Sequence, residues 1–397
     1  MACRICKTAN TETVIDLGEQ VITSRFPVYG DWSTPKTHIC LIQCRDCGLV
    51  QLRDLVNASE LYEHMYGYRS GLNPMMRNHL EAYNRELQTK VILKSGDSVL
   101  DIGSNDATFL RFYPDTVTRV GCDPTGKQFA EFYDGLTLIP TYFTAAAVNG
   151  MKFKAVSSIS MFYDLPDPVQ FAQDVHSVLT DDGIWTLEQS YILTMLERNS
   201  IDTICHEHVE YYALRQIKKI MDLAGFVIVD VSKNDCNGGS FRIYVAKSGT
   251  ESPKVHEWLA EEIRQKLDDP ETYRAFERRC GEEVAKLKAY LAEHPNTYIY
   301  GASTKGNCLL QYAQITERET PKAVERNPEK VGKMTSTGVP IISEETMRAD
   351  PPDALLVLPW HFRPAIVDRE AEFLRNGGEL VFPFPTFDVV TMKSLSS

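Results

Sequence analysis

The chain has 397 residues and a formal net charge of −12, from 42 Lys and Arg against 54 Asp and Glu. That length predicts two or three domains, and the acidic balance argues against a nonspecific nucleic-acid binder, which needs a basic stripe to displace counterions. The start Met1-Ala2-Cys3-Arg4 lacks a signal-peptide core and no run of about eighteen apolar residues occurs, so the expectation is a cytoplasmic protein, without a membrane span, that binds a small molecule.

The first predicted element is a module over residues 1–57, bracketed by two Cys-x-x-Cys pairs, Cys3/Cys6 and Cys44/Cys47. Four thiolates at this spacing suit a tetrahedral zinc ion, and four soft ligands leave no open position for chemistry, so the zinc is read as structural. Gly48 after the second pair lets backbone N–H groups turn toward a sulfur. Disulfides between the same cysteines, or His38 or Cys40 as substitute ligands, are the alternatives. The remaining cysteines are scattered through apolar or helical contexts, as reduced thiols are.

Residues 58–250 read as a second domain. Ala58 to Leu93 is mostly helical, broken at Gly67-Tyr68-Arg69-Ser70-Gly71 and before Pro74. From Ser98 short β-branched runs alternate with helical stretches (strands near 99–102, 117–120, 155–159, 184–187, 227–231 and 241–245), which predicts a mainly parallel sheet covered on both faces. Pro253 to His294 is a charged helical connector interrupted near Asp268-Asp269-Pro270. It opens the third part, 251–397, a smaller α/β unit with strands near 298–301, 323–325, 355–358 and 379–382. The fold class is therefore α/β, with a doubly wound central sheet.

The first chemical motif is Val99-Leu100-Asp101-Ile102-Gly103-Ser104-Asn105-Asp106-Ala107, a strand entering a glycine turn at the edge where doubly wound sheets bind cofactors. It lacks the third glycine of a dinucleotide fingerprint and the Lys-Ser/Thr of a phosphate loop. It resembles the first motif of S-adenosylmethionine methyltransferases, with Ala107 in place of the last glycine. Val120-Gly121-Cys122-Asp123-Pro124 puts a carboxylate past the second strand, where it can accept both ribose hydroxyls. Asp101, Gly103, Asn105, Asp123 and Pro124 are thus the candidate cofactor residues; a glycine turn with no ligand is the bland alternative.

The second motif is Asp202-Thr203-Ile204-Cys205-His206-Glu207-His208-Val209-Glu210-Tyr211-Tyr212. As a metal site it fits poorly, because the helical zinc spacing is His-Glu-x-x-His. A solvated surface segment is one remaining reading. The other is a histidine base held by a neighbouring carboxylate, with aromatic walls from Tyr211 and Tyr212.

Taken in order along the chain, the four-cysteine module, the S-adenosylmethionine motif and the Glu207-His208 pair resemble the NDP-4-keto-6-deoxyhexose C-3 methyltransferases. Tyr66-Gly67-Tyr68-Arg69-Ser70-Gly71, Asn237-Gly238-Gly239-Ser240-Phe241-Arg242 and Tyr300-Gly301-Ala302-Ser303-Thr304-Lys305-Gly306-Asn307 extend the likeness over the whole length. The resemblance implies that His208 is the base, Glu207 its partner and Tyr68 a wall of the sugar pocket or an oxyanion donor. Tyr66, Asp164, Cys205, Gly239, Ser240 and Arg242 are the further candidate substrate residues, and Ser303, Lys305 and Asn307 lie on a glycine turn suited to a nucleotide diphosphate, unless that unit merely buttresses the cleft. Cys205 stands where the family usually has a tyrosine and Asp164 where it commonly has a histidine, so sugar configuration or methylated carbon can differ. The expected cofactors are S-adenosylmethionine and structural Zn2+, and the expected partner is a nucleotide-linked keto-deoxysugar. A sugar methyltransferase of other regiochemistry, a base-catalysed epimerase, and a non-catalytic module binding S-adenosylmethionine or a nucleotide sugar are the competing readings.

Overall fold

A computed structural model describes residues 1–57, Leu61 and 68–395. Strands β1 (Thr11–Val21), β2 (Lys36–Cys44) and β3 (Val50–Leu52) form an antiparallel meander carrying the four-cysteine module. Its fourth strand comes from far along the chain, residues Glu210–Tyr211, which pair antiparallel with Gln51 and Val50.

The central sheet contains β4 (Ser98–Ile102), β5 (Thr118–Cys122), β6 (Thr137–Ile139), β7 (Phe153–Ile159) and β8 (Leu179–Ser190). After β9, the Glu210–Tyr211 strand just described, come β10 (Val227–Asn234) and β11 (Ser240–Ala246). The order is β10-β11-β8-β7-β4-β5-β6. Every pair from β8 to β6 is parallel and β11 alone runs against its neighbours. This is the class I methyltransferase sheet. Strand β4 is Ser-Val-Leu-Asp-Ile with four of its five residues buried, as a strand covered on both faces requires.

The third sheet, order β14-β13-β12-β15-β16-β17, uses β12 (Thr297–Tyr300), β13 (Ala323–Glu325), β14 (Ile341–Ser343), β15 (Ala354–Val357), β16 (Glu379–Phe382) and β17 (Asp388–Val390). Only the β16–β17 pair in it is antiparallel. The expected connector is the helices Pro253–Arg264 and Pro270–Glu293; the second buries Tyr273, Phe276, Cys280, Val284, Leu287 and Leu291 at helical spacing.

The helix Pro74–Lys90 starts on Asn73, whose side chain accepts from Met75 N, and continues from Pro74. Its buried Leu80, Tyr83 and Leu87 close a separate apolar cluster with Phe109, Leu110 and Tyr244 over the central sheet. The larger core runs without a break through all three sheets. The amino-terminal module also touches the third unit directly: Val28 bridges Lys333, Met334 N donates to Pro27 O at 2.9 Å, and Val21 N donates to Gln311 Oε1 at 2.7 Å.

Candidate functional site

The register of the central sheet sets Asp101 opposite Gly121 and Ile102 opposite Cys122, so Gly103 and Asp123 leave adjacent strands side by side. Gly103 has φ +76° and Asn105 φ +49°, a left-handed turn that aims the Asn105 N–H at Asp123 Oδ2, 2.7 Å away. Asp123 Oδ1 accepts from both Thr125 N and Thr125 Oγ1 at 2.6 Å. A carboxylate offers about four lone-pair positions, so a fourth remains for a ligand hydroxyl at Oδ2. Pro124 follows, half-buried. Burial pushes the Asp101 carboxyl up to about 7, against the hydrogen bond that Ser157 Oγ donates to Oδ1 at 2.6 Å and aided by the Asp123 charge.

The segment before the helix Pro74–Lys90 straps this turn. Asn105 Nδ2 donates to Tyr68 O at 3.0 Å, Ser70 N to Asn105 Oδ1 at 3.0 Å, and Gly71 N to Asp106 Oδ2 at 2.9 Å. A Cβ on Gly71 would lie 2.6 Å from that carboxylate oxygen, so only glycine permits the approach. Arg69 joins Asp106 at 3.1 Å and lies 3.9 Å over the Phe132 ring. The Tyr68 side chain is about half exposed. Tyr66 lies outside the described residues.

The His-Glu-His segment is an interior element. His206 and Glu207 are buried and His208 is nearly so. The reason is β9: Val209 O accepts from Leu52 N at 2.9 Å and the next two residues complete the amino-terminal sheet. Thr23, fully buried in the module, places Oγ1 3.2 Å from Glu207 Oε2 and 3.3 Å from His206 Nδ1. His208 Nδ1 donates to Thr203 O at 2.8 Å, which leaves Nε2 as its basic nitrogen.

Two expectations about this segment change. The group that orients His208 is the Thr203 carbonyl, while Glu207 acts on it through charge. Its aromatic wall is Tyr163, with ring centroids 4.3 Å apart; Tyr211 lines the same small cavity, and Tyr212 packs on Phe162. Burial works against the imidazolium of His208, but the interaction with Cys205, including their hydrogen bond, and the Glu207 charge outweigh it and the opposing charge of Lys305, and the net direction is upward. Burial and a hydrogen bond with Cys308 push the Cys205 thiol well up. Asp164 sits in the short helix Phe162–Asp164 after β7; burial pushes the Glu210 carboxyl well up, against the Arg4 charge, and the Asp164 charge adds to that rise.

Lys305, near the start of the helix Thr304–Ala313, reaches across from the third unit and donates to Asn237 O at 2.7 Å. Its charge acts on Asp202, His208, Cys236 and His361. Asp202 is itself tied to the third unit, accepting from Trp360 Nε1 at 3.0 Å. Lys305 thus brings a positive charge to the place where the third unit meets the central sheet.

Other expected substrate residues have work inside the protein. Ser303 Oγ caps its helix by accepting from Gly306 N at 3.0 Å. Asn307 Nδ2 donates to Thr23 O at 2.8 Å and its Oδ1 accepts from Ser336 N at 3.1 Å, so this amide joins the module to the third unit. Gly239 N donates to Cys236 O at 3.0 Å and Ser240 Oγ to the same carbonyl at 2.9 Å; both shape the turn before β11, where a Cβ on Gly239 would lie 2.1 Å from Thr194 Cγ2. Arg242 pairs with Glu188 at 2.7 Å and Glu86 at 2.5 Å and lies 3.4 Å over the Tyr83 ring.

The four cysteines converge. Cys3 and Cys47 sulfurs are 3.5 Å apart, Cys6 and Cys44 3.5 Å, and Cys6 and Cys47 3.8 Å, with all four within 4.8 Å of one another. A tetrahedron with Zn–S bonds of about 2.3 Å has edges of about 3.8 Å. The set therefore fits a structural zinc ion, while His38 is paired with Asp16 and Cys40 contacts Thr13.

Three family models follow one another along the chain: a putative zinc binding domain at 3–62, a methyltransferase domain at 76–231 and a C-methyltransferase C-terminal domain at 235–385. The chain is 29% identical to the C-methyltransferase NovU of Streptomyces niveus over 410 positions, covering 99% of this chain and 97% of that protein. Along its whole length the chain is thus similar to S-adenosylmethionine-dependent C-methyltransferases. Among solved structures, a Haloferax volcanii complex of the Trm112 methyltransferase activator with a putative methyltransferase aligns at TM-score 0.37 and 13% identity, over 44% of this chain and 95% of that one. The cyclopropane synthase MmaA2 of Mycobacterium tuberculosis aligns at TM-score 0.35 and 13% identity, over 42% and 83%.

The polar groups of the Gly103–Asn105 turn suit an S-adenosyl cofactor: a carboxylate at the end of β5 with one acceptor position to spare, beside a left-handed glycine turn that presents backbone. Thr23, Thr203 and Tyr163 stand around the His-Glu-His segment without having been singled out in the sequence. Only tertiary pairing brings Thr23 there, while Tyr163 adjoins Asp164 and carried a local cue.

Proposed function

We propose that this protein is a C-methyltransferase that methylates C-3 of a nucleotide-linked 4-keto-6-deoxyhexose, with His208 as the base. The observation that carries the reading is the Nδ1–H of His208 held on Thr203 O at 2.8 Å, which fixes the tautomer and leaves Nε2 as proton acceptor beside the Lys305 cleft. A carbon next to a ketone is acidic because its electron pair can move onto the carbonyl oxygen. His208 Nε2 takes that proton, and Glu207 stabilises the resulting imidazolium through charge. Asp123 and the Gly103–Asn105 turn hold the cofactor, Asp101 lies beneath them, and Lys305 meets the diphosphate. Bound S-adenosylmethionine supplies an electrophilic methyl group. Placement of donor and acceptor across the strap at Tyr68 then does most of the work of transfer.

Cys205 in place of a phenol and Asp164 in place of an imidazole alter the polar lining near the base, so the sugar configuration accepted is a property of this chain. The test is a panel of nucleotide-linked 4-keto-6-deoxysugars with labelled S-adenosylmethionine, scored for methyl incorporation and for solvent deuterium at the carbon beside the ketone. Methyl incorporation with deuterium wash-in is the expected result. Deuterium exchange without methylation would favour an epimerase, and binding without either would favour a non-catalytic module.

A further inference from the structure

A second histidine–carboxylate pair stands at the cofactor edge of the central sheet. His79, on the second turn of the helix Pro74–Lys90, places Nε2 2.5 Å from Glu188 Oε1. Glu188 lies near the carboxyl end of β8 and is 1% exposed, while the imidazole retains 21% exposure. The carboxylate is fixed from every side. Arg242 Nε donates to Oε2 at 2.8 Å, Asn234 Nδ2 to the same oxygen at 2.8 Å, and Ser160 N to the Glu188 carbonyl at 2.7 Å. Burial opposes its ionisation, but His79 and Arg242 more than compensate and hold it below the usual carboxylate range. Among the described residues, His79 Nδ1 carries no hydrogen bond.

The pair also adjoins both the strap over the proposed cofactor turn and a cysteine within reach of the Lys305 charge. Its helix follows directly on the strap that covers the cofactor turn. Cys236 lies within ligand distance of both His79 and Glu188, and Lys305 acts on that same cysteine. A divalent ion on His79, Glu188 and Cys236 is disfavoured by the Arg242 guanidinium already bound to the carboxylate. What the geometry suits is proton handling: a buried carboxylate that accepts the Nε2–H of an imidazole and orients its ring.

Resting on the proposed ketosugar substrate, we propose that His79, oriented by Glu188, donates its Nδ1–H to the carbonyl oxygen as His208 removes the neighbouring proton. The C–H electron pair enters the carbon–carbon double bond, the carbonyl π pair moves to oxygen, and the oxyanion is met by the His79 imidazolium. The proton abstracted stays on His208 Nε2. The charged and titratable groups around His79 are Glu188 from β8, Arg242 from β11, Cys236 from the turn between β10 and β11, and Tyr83 from its own helix.

The test compares wild type, His79→Ala, His79→Gln and Glu188→Gln on the sugar panel, with calorimetry of S-adenosylhomocysteine. His79→Ala should lose about a hundredfold in both kcat and deuterium wash-in, the scale of one oxyanion donor, with KM and cofactor affinity within about threefold. His79→Gln, which keeps an N–H donor, should recover part of the loss. If the wild type turns over a sugar and His79→Ala matches it in kcat and wash-in, or if its loss is matched by lost cofactor affinity, the proposal is overturned while the substrate reading stands. A wild type inert on every nucleotide sugar overturns both.

Discussion

Thr23 Oγ1 lies 3.2 Å from Glu207 Oε2, a contact between residues 184 positions apart that ties the amino-terminal module to the segment carrying the proposed base. The same threonine gives its carbonyl to Asn307 Nδ2 at 2.8 Å, so module, central sheet and third unit meet at one buried residue. The zinc module is thereby part of the cleft's framework.

Thr23→Val keeps the shape and removes the hydroxyl. Leaving a buried carboxylate short of a partner should cost about 1–3 kcal/mol of stability. Misplacing the segment should lower kcat about ten- to a hundredfold. Thermal unfolding and steady-state kinetics check both, and unchanged kcat would confine Thr23 to packing.

One zinc per chain should be found by elemental analysis of undialysed protein. Cys47→Ser should lose it and loosen the module, because metal binding there is folding energy. Since Val50 and Gln51 pair with Tyr211 and Glu210, the loss should reach methyl transfer as well, while S-adenosylhomocysteine binding persists. Full activity in zinc-free protein would contradict this coupling.

Asp123→Ala should weaken S-adenosylhomocysteine binding by about 1.5–3 kcal/mol, the scale of hydrogen bonds to a charged group. Calorimetry measures it directly; affinity equal to that of the wild type would place the ribose elsewhere.

Asp101, raised to about 7 by burial, makes the folded state prefer its neutral form. Above its unfolded value of about 3.9 the unfolded chain releases this proton first, so stability from this site declines as pH rises through 7. Asp101→Asn, neutral at all pH, should match the wild type near pH 4 and gain several degrees in Tm over it by pH 8. A gap that does not widen with pH would refute the shift.

His208→Asn should bind both ligands yet lose about a hundredfold or more in methyl transfer, with deuterium wash-in falling in parallel. The base works deprotonated and its pKa is raised, so the rising limb of kcat against pH should lie above the ordinary histidine value of about 6.5. Cys205→Ala removes the leading cause of that rise and should move the limb to lower pH. A limb unmoved by both changes would assign the titration to another group.

Local chemistry made much of this molecule readable in the sequence. The paired cysteines, the Asp101-to-Ala107 turn and Asp123 are short-range patterns, and the structure brings the four sulfurs together and sets Gly103 beside Asp123. Alternation of β-branched runs with helices likewise announced the two α/β sheets. The three-residue strands β6, β14 and β17 lie outside the expected runs, although the equally short β13 lies within one.

The surroundings of the base were decided by tertiary structure. Glu207 and His208 are adjacent in sequence, and adjacency suggested mutual support; the strand pairing of β9 instead turns Glu207 toward Thr23 and leaves His208 on Thr203 O. Ser303 and Asn307 looked like ligand groups on a glycine turn, but helix capping and the joint to Thr23 claimed them. His79 and Glu188 are 109 residues apart and belong to no motif; only the packing of a helix across β8 makes them a pair. Spacing along the chain specifies groups that share a turn, whereas a buried side chain takes its partner from whichever distant backbone the core brings within about 3 Å.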